Sequence, residues 1–100
     1  MIDEAKRRVE IFRNLDHYLR IIYQAIKELD RDAEIYLFGS VAENRHLVSS
    51  DIDILVVTSL RPESVISRLW ERGIGDPFEI HVVDRERLQY YLRNVRNLIK

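Results

Sequence analysis

No cysteine occurs in the sequence, which excludes disulfides and thiolate metal centres and favours a cytoplasmic setting. Three glycines and two prolines in 100 residues leave no room for a collagen-like, linker-rich or low-complexity chain. No internal repeat is present. No apolar run approaches the roughly eighteen residues a membrane-spanning helix requires, so no membrane association is expected. The opening residues, Met1 to Arg8, contain three consecutive basic residues but no apolar h-region, so no signal peptide is expected. Nor is there an excess of one charge. Sixteen basic and seventeen acidic residues give a formal net charge of -1, which does not describe a basic nucleic-acid binder.

What is present fits one small soluble domain over residues 1–100. Hydrophobic residues make up 46% and charged residues 33% of the chain, a globular balance. A chain of this length buries a single core and has little room for a second, substrate-holding domain.

The informative stretch runs from Ile35 to Val57. A short apolar run, Ile35 to Phe38, stops at Gly39-Ser40. Ten residues later a second apolar run opens with Asp51-Ile52-Asp53. In a strand, residues i and i+2 face the same way. Asp51 and Asp53 would then project together, with Ile52 and Ile54 turned into a core. Two adjacent carboxylates repel one another and need a cation between them. Hard oxygen ligands suit Mg²⁺, which takes one or two carboxylates together with phosphate oxygens. Gly39 permits close approach of a ligand to the backbone. Ser40 can cap a following helix whose N–H groups would face an anion. Together they outline a site for a nucleoside triphosphate. Taken alone, an Asp-x-Asp is more often a solvated strand start, and a Gly-Ser more often a turn. Their combination at this spacing makes the difference.

The flanking sequence reads as follows. Phe12, Leu15, Leu19, Ile22, Ile26 and Leu29 recur at steps of three and four, which predicts one long helix over residues 2–29 packed on a sheet. Ile11, Tyr18, Ile21 and Ala25 widen that stripe, and the excess width could serve a partner. Glu34 to Phe38 predicts a first strand. Arg45 lies where a loop arginine could meet a triphosphate, and Ser49 or Ser50 could bond a phosphate or the Asp51 carboxylate; ordinary turn chemistry accounts for both serines equally well. The continuous apolar run after Asp53 predicts a strand buried on both faces at the centre of the sheet.

Pro62 opens a second helix, with Val65, Ile66, Leu69 and Trp70 expected on its buried face and Gly73 as its stop. Phe78 to Val83 predicts a third strand in which Glu79 and His81 share one face. Asp84 reads as an N-cap. Residues 85–99 predict a last, basic helix with Leu88, Tyr91, Leu92, Val95 and Ile99 on one face.

The string from Phe38 to Val57 resembles the signature of nucleotidyltransferases related to DNA polymerase beta, and is most similar to the minimal nucleotidyltransferases of archaea and bacteria. The resemblance extends over most of the chain. It implies an α/β (α+β) fold: a small, mixed, twisted sheet with helices mainly on one face. It further implies a third metal-binding carboxylate on the strand after the Asp-x-Asp strand, and Glu79 is the matching position. Asp51, Asp53 and Glu79 would be the catalytic metal ligands, holding two Mg²⁺ ions roughly 4 Å apart. Gly39 and Ser40, with Ser50 and Arg45, would bind phosphate. His81 would neighbour the site as a supporting group or acceptor-side base.

The implied reaction is transfer of a nucleoside monophosphate, AMP from ATP or the equivalent from another NTP, to an acceptor hydroxyl. The implied partner is a small all-helical protein of the HEPN class, with this chain as the antitoxin of a toxin–antitoxin pair. An oligomer is compatible with the same reading. Family members often carry Ala-Arg-Gly where this chain has Ala42-Glu43-Asn44. That places an acid where a basic side chain could hold phosphate, and supports an alternative: a non-catalytic module that neutralises its partner by contact. A small-molecule enzyme, such as an antibiotic-modifying nucleotidyltransferase, is a weaker third reading, because the chain lacks a substrate-holding domain.

Overall fold

The apolar stripe between Phe12 and Leu29 forms part of two helices rather than one. The computed structural model describes residues 4–38, 51–91 and 95–98. Helix α1 covers Glu4–Arg13 and α2 covers Leu15–Leu29. Asn14 separates them, with φ -113° and ψ 32°. Its side-chain amide donates to the Glu10 carbonyl at 3.0 Å, the carbonyl that its own backbone N–H also reaches at 3.0 Å. A short polar side chain competing for the helix's own acceptors is the reason asparagine interrupts helices. The apolar period continues across the break, which is why it is invisible in the pattern.

Ile22, Ala25 and Ile26 of α2 are fully buried and face the sheet. The helix ends in a tight polar turn. Lys27 Nζ donates to the carbonyls of Arg31 at 3.0 Å and Ala33 at 2.6 Å. Asp30 accepts from the Asp32 N–H at 3.0 Å and from the Thr58 hydroxyl at 2.6 Å. The Thr58 bond, followed by the Asp32 N–H, holds the Asp30 carboxyl below its ordinary range.

Strand β1 is Glu34–Phe38, β2 is Ile52–Val57, β3 is Phe78–Val83 and β4 is Val95–Leu98. They form one sheet in the order β3-β2-β1-β4. β1 runs antiparallel to both β2 and β4, whereas β2 and β3 are parallel. Parallel neighbours need a crossover, and helix α3 (Pro62–Glu71) supplies it. The β2 strand is buried on both faces, as its unbroken apolar run predicts. Ile52, Ile54 and Val56 meet α2 and α3 in the main core with Val65 and Leu69. Leu55 and Val57 face the other way, toward Val83, Tyr36 and Leu88. Helices α1 to α3 thus pack on one face. Helix α4 (Arg85–Tyr91) contributes Leu88 to the other.

Two further expectations are corrected. Helix α4 ends at Tyr91 rather than continuing to 99, and residues 95–98 form β4 against β1. Helical spacing of apolar residues there is overridden by the open edge of β1, whose backbone groups need partners. Trp70 is not core: it is 72% exposed. Val65 and Leu69 point at the sheet and are buried, Ile66 is half-buried, and Trp70 lies past the edge of that contact. Gly73 does stop α3, with φ +82°, a conformation side-chain-bearing residues avoid. Asp84 caps α4 as expected, accepting the Arg87 N–H at 2.9 Å.

Candidate active site

The parallel pairing of β2 with β3 decides the geometry of the site. Asp53 and Glu79 are register partners, as are Leu55 and His81. Registered residues on neighbouring strands project to the same face, so Asp53, Glu79 and His81 rise together on the face opposite the main core. His81 Nε2 lies 3.4 Å from Asp53 Oδ1 and 3.6 Å from Glu79 Oε1. One ligand atom from each of the three lies within 4.8 Å of the others. Asp53 and His81 are about a quarter exposed, at 25% and 30%, and Glu79 is 54% exposed. The cluster therefore opens to solvent at one side and rests on packed strands at the other.

Two carboxylates and an imidazole so close suit a divalent cation. The carboxylates match Mg²⁺, and the imidazole extends the donor set to Mn²⁺. Without a cation the two acids repel one another, with His81 Nε2 within 3.6 Å of an oxygen of each.

Asp51 stands apart from this trio. It precedes β2, and its Oδ1 is 3.9 Å from an Arg8 guanidinium nitrogen of α1. Arg8 carried no signal in the sequence, where Lys6-Arg7-Arg8 looks like a solvated helix face. Gly39, Ser40, Arg45 and Ser50 lie outside the described residues. β1 ends at Phe38, the register partner of Asp53, at the end of the sheet where β2 and β3 begin.

Beside β3 runs an open groove of about 390 Å³, lined by Ile66, Trp70, Phe78, Glu79 and Ile80 among others. Glu79 belongs to both the groove and the acidic cluster.

A family model described as the nucleotidyltransferase domain matches residues 19–98. The chain belongs to the nucleotidyltransferase domain family. Two crystal structures, each described as that of a "putative nucleotidyltransferase", resemble it. One is 28% identical, covers 78% of this chain and 90% of its own, and has a TM-score of 0.60. The other, from Sulfolobus solfataricus, is 23% identical, covers 90% of this chain and 82% of its own, and has a TM-score of 0.48. No curated protein matches the chain. Nucleotidyltransferases act on nucleoside triphosphates and generally use Mg²⁺. The matched span of the nucleotidyltransferase domain contains β1, β2, β3 and the whole Asp53–Glu79–His81 cluster. Among the described residues no helix is long and apolar enough to cross a membrane.

Proposed function

We propose that residues 1–100 act as a single minimal nucleotidyltransferase domain that moves AMP from ATP to an acceptor hydroxyl on a protein partner. The observation that carries this reading is the convergence of Asp53 and Glu79 across the parallel β2–β3 register, in a chain of the nucleotidyltransferase family. Asp53 and Glu79 would hold Mg²⁺, with Asp51 at the mouth of the site. Gly39, Ser40, Ser50 and Arg45 are the phosphate-binding candidates. Mg²⁺ held there would supply charge neutralisation for the triphosphate and lower the pKa of an acceptor hydroxyl.

The chain's own residues orient the reactants. The acceptor oxygen forms a bond to the α-phosphorus, and the bond from that phosphorus to the β-bridging oxygen breaks. Pyrophosphate leaves, and the hydroxyl proton passes to solvent or to His81 Nε2. The exposed Trp70 and the groove continuous with Glu79 give an acceptor segment a place to lie. A HEPN-type all-helical protein is the partner that the resemblance favours, with this chain as the cytoplasmic antitoxin.

The test is incubation with α-labelled ATP, Mg²⁺ and the protein encoded beside this chain, comparing wild type with Asp51→Asn/Asp53→Asn. Label reaching a protein only with wild type supports transfer and identifies the acceptor. A contact-only module is the second reading, favoured by one observation: Asp51 faces Arg8 rather than the acidic trio. It would be preferred if neither protein transfers label while the variant still binds and neutralises the partner.

A further inference from the structure

Strand β3 is an edge of the sheet, and it carries none of the usual protections of an edge. The order β3-β2-β1-β4 leaves an outer side on β3 and on β4. Proteins blunt such sides with short strands, bulges, proline or lysine, because a row of unpaired N–H and C=O groups recruits another chain. β4 is blunted: it has four residues, and its register against β1 shifts between Leu37 and Phe38. β3 has six residues in unbroken register with β2, and none of them is proline, glycine or lysine. Among the described residues nothing pairs with its outer side.

The register also fixes which backbone groups point outward. Ile52 N–H donates to the Pro77 carbonyl at 2.8 Å, and Thr58 N–H to the Val83 carbonyl at 2.9 Å. Alternate residues of a strand bond to any one neighbour. Glu79, His81 and Val83 therefore turn their backbone groups to β2, and Ile80 and Val82 turn theirs away. The side chains along that edge differ by face. Ile80 shares the open groove with Ile66 and the 72% exposed Trp70. Glu79 and His81 rise on the opposite face with Asp53. Among the described residues the groove's lining holds two acids, Asp76 and Glu79, and no base.

We propose that the outer edge of β3 binds an extended, basic segment of the acceptor protein as an added strand of the sheet. The proposal rests on the nucleotidyl-transfer reading above and adds how the acceptor is held. Antiparallel addition is the slightly more stable pairing. In it, residues opposite Ile80 and Val82 exchange backbone bonds with them and lay apolar side chains against Ile66 and Trp70. The residues between stand opposite Glu79 and His81, on the acidic face. Cations in the segment answer Asp76 and Glu79, and a hydroxyl on that face is presented to the Asp53–Glu79 cluster. Backbone bonds supply the affinity, and the alternating side chains supply the selectivity.

Trp70 is the only tryptophan in the chain, so its fluorescence reports the docking directly. The probe is a capped peptide, Lys-Val-Lys-Val-Thr-Val-Lys, titrated into the full chain. Docking is expected to shift the emission to shorter wavelength as the indole loses water. Methylating the backbone nitrogens of the valines removes the bonds to Ile80 and Val82 and should weaken binding about tenfold. Methylating those of the central lysine and the threonine, whose N–H groups point away from β3, should leave it unchanged. Exchanging the lysines for glutamates should abolish the shift.

The reverse methylation pattern would mean parallel addition to the same edge and would also support the proposal. Loss from both methylated peptides or from neither would overturn it, as would no shift with the parent peptide or equal binding of the glutamate peptide. Emission already at short wavelength without peptide, reverting on dilution, would give the edge to a second copy of the chain and overturn it too. Docking with the expected pattern, but no label moved in the ATP experiment above, would refute the transfer reading and leave the strand addition standing. Label moved without peptide docking would do the opposite.

Discussion

Asp53 and His81 approach to 3.4 Å across two parallel strands, 28 positions apart in the chain. Neither residue is near the other in sequence, and the contact exists only because the register sets Leu55 opposite His81. In a metal-loaded site the imidazole either joins the ligands or steadies the carboxylate oxygen that does not bind. His81→Ala is expected to weaken Mn²⁺ binding about tenfold. Titration followed by electron paramagnetic resonance checks this, and an unchanged affinity would leave His81 outside the site.

Removing charge from the cluster should stabilise the empty protein. Asp53 and Glu79 are register partners on one face, and like charges so placed destabilise a sheet. Asp53→Asn is expected to raise stability by about 0.5 kcal/mol without divalent metal. Any stabilisation of wild type by Mg²⁺ should be lost in the variant. Calorimetric scans of both proteins with and without Mg²⁺ would show this crossing. A variant less stable than wild type under metal-free conditions contradicts it.

The bond from Thr58 to Asp30 ties the end of β2 to the turn after α2, and Thr58 is buried. Thr58→Val is expected to cost about 1–2 kcal/mol at neutral pH. The Asp30 carboxyl is held below its ordinary value of 3.8, chiefly by this bond. A depressed carboxyl stabilises the fold fully above that value, and the contribution is lost as pH falls through its folded value. The difference between wild type and Thr58→Val should therefore shrink in acid. Urea unfolding at pH 7 and at successively lower pH measures it.

On β1 the sign reverses. The Tyr36 hydroxyl donates to Glu34 at 2.6 Å, and Arg85 donates to the other Glu34 oxygen at 2.7 Å. The Glu34 carboxylate, followed by burial, holds the Tyr36 phenol above its ordinary 10.0. The neutral phenol is the form the fold prefers. Its contribution is present below pH 10.0 and disappears as pH rises through the folded value. Tyr36→Phe should cost about 1 kcal/mol at pH 8, a gap that closes in strong alkali. A constant gap across that range would mean the hydroxyl bond is not its source.

Trp70 offers a control on the fold itself. At 72% exposure its loss opens no cavity. Trp70→Ala is expected to change unfolding stability by no more than about 0.5 kcal/mol. A loss near the roughly 3 kcal/mol typical of core tryptophan truncations would place it in the interior.

Much of this architecture was legible because β2 and β3 carry unambiguous patterns. Asp53 followed by an unbroken apolar run could only be a central strand, and the alternation from Phe78 to Val83 put Glu79 and His81 on one face before any register was known. What the residues could not declare was competition between local and distant preferences. Nothing in the spacing of Leu15 and Leu19 betrays that Asn14 has taken the Glu10 carbonyl. Val95 continues a helical period from Leu88 and Leu92, yet the unpaired edge of β1 claims residues 95–98 for a strand. The separation of Asp51, which precedes β2 and neighbours Arg8 of α1, from Asp53 and Glu79 is a tertiary feature that no local pattern carries.

The crossover through α3 has a kinetic consequence. Antiparallel β1 and β2 can pair, and α2 can settle on them, before β3 arrives. Parallel pairing across a long loop is entropically late, because the loop must close before its contacts are gained. Until that closure Asp53 faces solvent alone, with neither Glu79 nor His81 beside it. A chain in which β3 has not docked on β2 holds no assembled acid cluster, so completion of this fold and acquisition of its chemistry are one event.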